Sequence, residues 1–288
     1  MKNKLSVKVA LTIALLAMLA TGVCIWASHA SSNSPAGTRH TISDSERAMD
    51  TLEVQNTMSK HAYYHAAGLQ MQELADIWVS EDGAFAKSAT FSNPTWIMDG
   101  LSVVKQYYGQ GKEDRRVAAL KALSEIYPNV KNVKENMGAG DEWVIHTQTT
   151  PIIEIAGDGK TAKGVWYSPG IGLMPTIKDG IVTMNGTMFW EKYGVDFAKE
   201  NGEWKIWHMQ MFYDYTPKLD GKWTEIQGTG SAAAMAKGQV QEGEKAQALR
   251  PGTKANPYSY PAYSPSRASV IAPKFPQRYY TFSETFSY

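Results

Sequence analysis

The sequence predicts an α+β domain in which N-terminal helices pack in a curved antiparallel sheet. Three observations carry that prediction. Residues 43–67, 71–79 and 99–126 read as helices, residues 143–215 change to extended runs joined by turn residues, and these helices precede the strands. Helices first and strands afterwards give segregated layers, not alternating βαβ units.

The elements follow in order. Ser43 or Asp44 caps a helix reaching Ala67; Glu46 stands three residues after Ser43 as in a capping box, and no Pro or Gly interrupts before Gly68. Its apolar stripe reads Leu52, Met58, Ala62, His65 and Leu69. A short helix covers Met71–Val79 and ends at the turn Ser80-Glu81-Asp82-Gly83. Residues 99–126 are helical in two pieces, split near Gly109 and Gly111 and stopped by Pro128. Trp143–Ile155 is extended, Gly157-Asp158-Gly159-Lys160 turns the chain, and Thr161–Tyr167 returns as a strand. Ser168–Gly186, rich in Gly and Pro, reads as a loop over a pocket mouth. Met188–Lys199 and Trp204–Tyr215 are strands joined by a hairpin turn at Asn201-Gly202.

The ends are of a different kind. Lys2, Lys4 and Lys8 precede an uncharged apolar run from Val9 to Trp26, followed by Ala27-Ser28-His29-Ala30 with small residues where a signal peptidase cuts. Residues 1–30 therefore read as a signal peptide and the protein as exported; the alternative is an uncleaved N-terminal anchor, the one membrane association expected. Residues 31–42 are a polar linker, 43–217 the domain, and 218–288 an extended C-terminal tail rich in Tyr and Pro. The 288 residues carry a formal net charge of +1, which gives no basic surface for nucleic acid. The single Cys24 lies in the apolar run, so neither a disulfide framework nor a cysteine metal site is available.

Several segments carry a family resemblance. His146-Thr147-Gln148-Thr149-Thr150-Pro151 resembles a His-x-x-x-Asn-Pro strand opening, with Thr150 in place of Asn. Gly202-Glu203-Trp204-Lys205-Ile206 matches a Gly-x-Trp-(Lys/Arg)-Ile final strand, and Asp214 the acid that ends it. Gly100, Val103 and Tyr107 fit the helix that plugs the cone. Over roughly residues 45–217 the chain resembles the SnoaL-like branch of the nuclear transport factor 2-like superfamily. The resemblance implies a conical α+β barrel with one deep, mostly apolar pocket. Similar proteins include dehydratases, ketosteroid isomerases and polyketide cyclases, besides members that only bind. Their enzymes draw on a Tyr and an Asp from the first helix region and a His from the first long strand. Here the strand His is His146 and the helix offers Tyr63, Tyr64 and His65, but Ala66-Ala67-Gly68 stands where the Asp would follow.

The expected catalytic residues are therefore His146 as general acid or base, with Tyr64 and His65 assisting. Tyr63, Trp166, Trp190, His208 and Asp196 are expected to line the substrate site, Asp196 as a carboxylate able to orient a His. Strict alternation groups His208 with Ile206 and Gln210 on one face of the last strand. His61 and His65 form an i, i+4 pair without a third ligand, and no phosphate, nucleotide or nucleophile-elbow motif is present, so no metal or cofactor is expected. Strand aromatics suit a small apolar or aromatic partner molecule. Three functions fit: a cofactor-independent dehydratase or isomerase acting on a small aromatic or polycyclic molecule, a non-catalytic extracytoplasmic ligand-binding or accessory protein, and a dimeric interaction partner, with a homodimer the expected assembly.

Overall fold

The computed structural model describes residues 40–127, 143–179, 181–217, 249–257, 260, 268 and 270–285. The export segment, the linker up to residue 39 and tail residues 218–248 lie outside them. Residues from Thr41 onward form one compact unit.

Helix α1 (Asp44–Ala67) begins in a complete capping box: Glu46 N–H donates to Ser43 Oγ at 3.2 Å, and Ser43 N–H to Glu46 Oε2 at 2.7 Å. It ends at Gly68, whose left-handed φ of 70° lets the backbone turn directly into α2 (Gln70–Ile77). The buried face of α1 is Asp50, Val54, Thr57, Met58 and His61, rotated from the expected stripe; Leu52 is 59% exposed. Polar residues can take that face because the strands opposite supply partners, as when Trp204 Nε1–H donates to Asp50 at 2.9 Å.

Strands β1 (Thr90–Ser92) and β2 (Trp96–Asp99) follow, then a short α3 (Leu101–Val104), a π-helical turn (Lys105–Gln110) and α4 (Gly111–Ile126). The main sheet is built from β3 (Trp143–His146), β4 (Thr149–Ile155), β5 (Thr161–Lys178), β6 (Ile181–Glu200) and β7 (Glu203–Tyr215), with β8 (Thr253–Ala255) from the C-terminal segment. The order is β3-β5-β6-β7-β1-β2-β8, with β4 also on β5. The sheet is mixed, not wholly antiparallel, because β1 runs parallel to β7. It curves around α1 without closing. Val54 and Met58 of α1 meet Trp166, Tyr193, Val195, Phe197, Ile206 and Met209 in one apolar core.

The expected loop at Ser168–Gly186 is instead a long hairpin arm, with β5 and β6 paired continuously out to Lys178 and Ile181. Its prolines do not break it. Pro169 falls between the residues of β5 that pair with β3 and those that pair with β4, and its carbonyl still accepts from Thr147 N–H at 3.2 Å. Pro175 lies beyond the last residue of β5 paired to β3.

The described parts of the tail lie on this same domain. β8 extends the sheet beside β2, Gly157 and Asp158 donate backbone N–H groups to Tyr279 and Tyr280 carbonyls at 2.9 Å, and Phe282 packs on Trp207. Among the described residues no helix is long and apolar enough to cross a membrane.

Candidate active site

The interior of the cone gathers three imidazoles. His61 and His65 come from consecutive turns of α1 and His146 from the end of β3; ring centroids lie 5.3 Å apart for His61–His146, 4.7 Å for His65–His146 and 5.6 Å for His61–His65. Gly170, opposite His146 on β5, makes this possible: a Cβ there would fall 2.5 Å from Ile145 O and 2.7 Å from His146 Cβ.

His61 is fully buried and paired with Glu73 of α2, Nδ1 to Oε1 at 2.9 Å. Glu73, also fully buried, accepts two further hydrogen bonds, from Trp78 Nε1 at 3.0 Å and from the Tyr108 hydroxyl at 2.6 Å. Three donors satisfy a carboxylate that would otherwise be costly to bury. They also fix His61: with Nδ1–H donated to Glu73, the imidazole presents the lone pair of Nε2, which has no partner. The π-helical turn delivers Tyr108 inward, while its neighbour Tyr107 points out to Pro251 O.

His146 is supported differently. Its Nδ1 lies 2.8 Å from Ser168 Oγ, 3.4 Å from Gln148 Nε2 and 3.6 Å from Glu191 Oε1, and its Nε2 has no partner. Nδ1 of His65 is likewise buried and unpartnered. Burial, then the neighbouring His146 and His61 and Lys112, hold His65 well below the usual histidine range, so it is neutral at neutral pH. Tyr108 and Tyr193 are pushed well above the usual tyrosine range, first by burial and then by Glu73 and Glu191 respectively. Both remain protonated donors.

Of the residues expected from the sequence, His146 and His65 meet in this centre. Tyr64 does not face it: its hydroxyl donates to Asp76 on α2. Tyr63 is 81% exposed. Trp166 is core, donating to Gln55 Oε1 at 2.9 Å and packing on Phe197, and Trp190 stands on the outer face near Tyr167. Asp196 does orient a histidine, but that histidine is His208: Nδ1 to Oδ2 is 2.9 Å, and His208 Nε2 reaches Ser88 O at 3.0 Å. This pair lies on the outer face, beneath Trp207 and Phe282. His208 and Ile206 part company because the β6–β7 register shifts between them, leaving Trp207 as the extra residue.

Sequence reasoning passed over Glu73, Tyr108, Ser168, Tyr193 and the inward orientation of His61. The available signal for Glu73 was its place among Leu74 and Ile77 on the apolar face of α2. Among the described residues, no group of three or more His, Cys, Asp or Glu side chains is arranged to hold a metal ion. One cavity of about 130 Å³ lies on the outer face between β4–β6 and residues 270–275, and another of about 420 Å³ beside Gln70 and Gly109. The imidazoles line neither.

Fold and site together define a cone-shaped α+β protein with a buried histidine–carboxylate centre. A SnoaL-like domain model matches residues 46–210, and the chain belongs to that family. Similar solved structures include a candidate scytalone dehydratase from Novosphingobium aromaticivorans, 10% identical over 62% of this chain and 94% of its own, with a TM-score of 0.42. A second is a dehydratase candidate of the NTF2-like family from Streptomyces avermitilis, 14% identical over 58% and 97%, TM-score 0.41. A third is the type 3 hexachlorocyclohexane dehydrochlorinase LinA from Novosphingobium barchaimii, 14% identical over 62% and 97%, TM-score 0.40. No curated protein matches the chain.

Proposed function

We propose that this chain is a cofactor-independent proton-transfer enzyme, a dehydratase or isomerase of a small aromatic or polycyclic molecule. The observation that carries the reading is the buried Glu73–His61 pair, whose unpartnered Nε2 shares the cone interior with the unpartnered Nε2 of His146. His61 is the base. Its Nε2 takes a proton from carbon beside a carbonyl, and the C–H electron pair becomes the new C=C bond. His146 assists at the departing hydroxyl through Nε2, which has no partner. The proton that His61 took passes to that hydroxyl oxygen as the C–O bond breaks, the group leaves as water, and both histidines end as they began. In an isomerisation the same proton returns to a different carbon.

The test begins with native mass spectrometry of the protein from its own host to identify a co-purifying molecule, followed by incubation of that molecule with enzyme in D₂O. The expected result is water loss or deuterium uptake that falls about 10²- to 10⁴-fold in His61→Asn and in His146→Ala. Wild-type turnover in either variant would overturn the assignment.

A second reading, a binding protein without turnover, is favoured by one observation: the two cavities lie away from the imidazoles, which pack against one another. Binding without water loss or exchange would select it. Action outside the cytoplasm is part of the proposal and rests on residues 1–30; a homodimer is supported by exposed Trp143, Ile145, Tyr167 and Trp190 on the outer face.

A further inference from the structure

Helix α2 turns a second polar residue inward. Its buried positions are Gln70, Glu73, Leu74 and Ile77, the three- and four-residue steps of one helix face. Glu73 has a donor on each oxygen. Gln70, about one turn earlier, has nothing: it is 2% exposed, and neither Nε2 nor Oε1 finds a partner among the described residues. A carboxamide taken from water with none of its hydrogen bonds replaced is a standing cost that an apolar side chain of the same length would not carry. Gln70 also borders the cavity of about 420 Å³, with Gly68, Leu69, Met71, Gly109 and Glu113. It therefore places a carboxamide one turn from the Glu73–His61 pair and at the edge of that cavity.

We propose that Gln70 is a specificity-determining residue of the acid–base site, selecting substrates that carry a hydrogen-bond acceptor and donor side by side, a carbonyl next to a hydroxyl. The proposal deepens the proton-transfer reading and rests on it. A carboxamide offers two N–H donors and one acceptor oxygen, which pair with such a group and with no hydrocarbon. The chemistry agrees for the isomerisation: the carbonyl acidifies the C–H of the carbon that bears the hydroxyl, protonation of the carbonyl oxygen gives an enediol, and return of a proton to the former carbonyl carbon with loss of the other O–H proton completes the reaction. An N–H of Gln70 on that carbonyl oxygen would also hold the negative charge that gathers there as the proton departs.

The test uses the full chain carrying ¹⁵N-labelled histidine, titrated with α-hydroxyacetophenone and with butylbenzene, an apolar molecule of similar size. Wild type and Gln70→Met are compared by imidazole chemical shifts, dissociation constants and thermal midpoint. Wild type should prefer the hydroxyketone by about tenfold or more, the scale on which a site built for hydrogen bonds rejects a partner lacking them. Gln70→Met should lose that preference and unfold at a higher temperature, since the unpaired amide is gone. An unchanged preference overturns the proposal, as does failure of both probes to bind wild type. A lower thermal midpoint also overturns it, by showing the amide to be bonded already in the free protein. Failure of the proton-transfer reading looks different: the hydroxyketone binds and Gln70→Met loses it, while the His61 and His146 resonances do not move.

Discussion

Replacing Glu73 by Gln removes a buried charge while keeping its volume, and the cost follows from how the three donors are shared. Oε1 takes His61 Nδ1 at 2.9 Å and Trp78 Nε1 at 3.0 Å, and Oε2 takes the Tyr108 hydroxyl at 2.6 Å. A glutamine in this place, with its carbonyl toward His61, keeps the first two bonds, each weakened by about 1 kcal/mol on losing the charged acceptor. Its NH₂ then meets Tyr108, whose hydroxyl rotates to accept, for a total loss of about 2–3 kcal/mol. Glu73→Ala strands all three donors, at about 1–3 kcal/mol each. It also leaves a void, so about 5 kcal/mol or more is expected, much of the ~5–15 kcal/mol that holds a domain folded. Urea unfolding of both variants at neutral pH measures the difference, and ¹⁵N shifts of His61 report whether its Nδ1 still carries the proton. Two results would refute the reasoning: Glu73→Gln within about 0.5 kcal/mol of wild type, which surface-like substitutions show, or a His61 whose Nδ1 is unprotonated in the wild type.

Two further outcomes are expected. His65 stays neutral when folded but takes up a proton near pH 6.5 when unfolded, so the unfolded state binds more protons below that pH. Stability is therefore full above about pH 6.5 and falls as pH drops, by up to about 1.4 kcal/mol per unit; His65→Phe should flatten the slope between pH 6.5 and 5 in denaturant titrations, and an unaltered slope would count against the assignment. Gly170→Ala places a Cβ 2.5 Å from both Ile145 O and Phe189 Cε2, which the backbone oxygen cannot avoid. It should cost about 1–3 kcal/mol and shift the His146 ring resonances, and an unmoved His146 would show the seat to be loose.

What was legible in the sequence is what local chemistry decides. The capping box at Ser43 and Glu46, the Gly68 stop and the Asn201-Gly202 hairpin are each specified by a few adjacent residues, and all three stand as read. His65 and His146 come together as the residues implied. The misses are tertiary. Leu52 and His65 suggested one helix stripe, yet the buried face carries Asp50 and His61 because Trp204 and Glu73 satisfy them. No alternation rule shows the register shift at Trp207 that sends His208 outward to Asp196. The glycines and prolines of residues 168–186 read as a loop because only the finished sheet reveals that Pro169 sits at the junction of the β3 and β4 pairings and Gly170 faces His146.

The missing helix carboxylate shows how the site is rebuilt. Ala66-Ala67-Gly68 leaves no acid at the end of α1, and the nearest buried carboxylate comes from the next helix, where Glu73 reaches back to His61 and not across to the strand His146. The histidine hydrogen-bonded to a carboxylate is thus on the helix, while the strand histidine meets the Ser168 hydroxyl at 2.8 Å with the buried Glu191 carboxylate farther off at 3.6 Å. Two imidazoles so differently backed are suited to different tasks: one held with a lone pair forward, the other able to present an N–H. Trp78 and Tyr108 belong to this arrangement as much as the histidines do. Without their N–H and O–H groups Glu73 would be a buried carboxylate with one partner. The two added donors complete its shell and hold the His61 ring with Nε2 unpartnered.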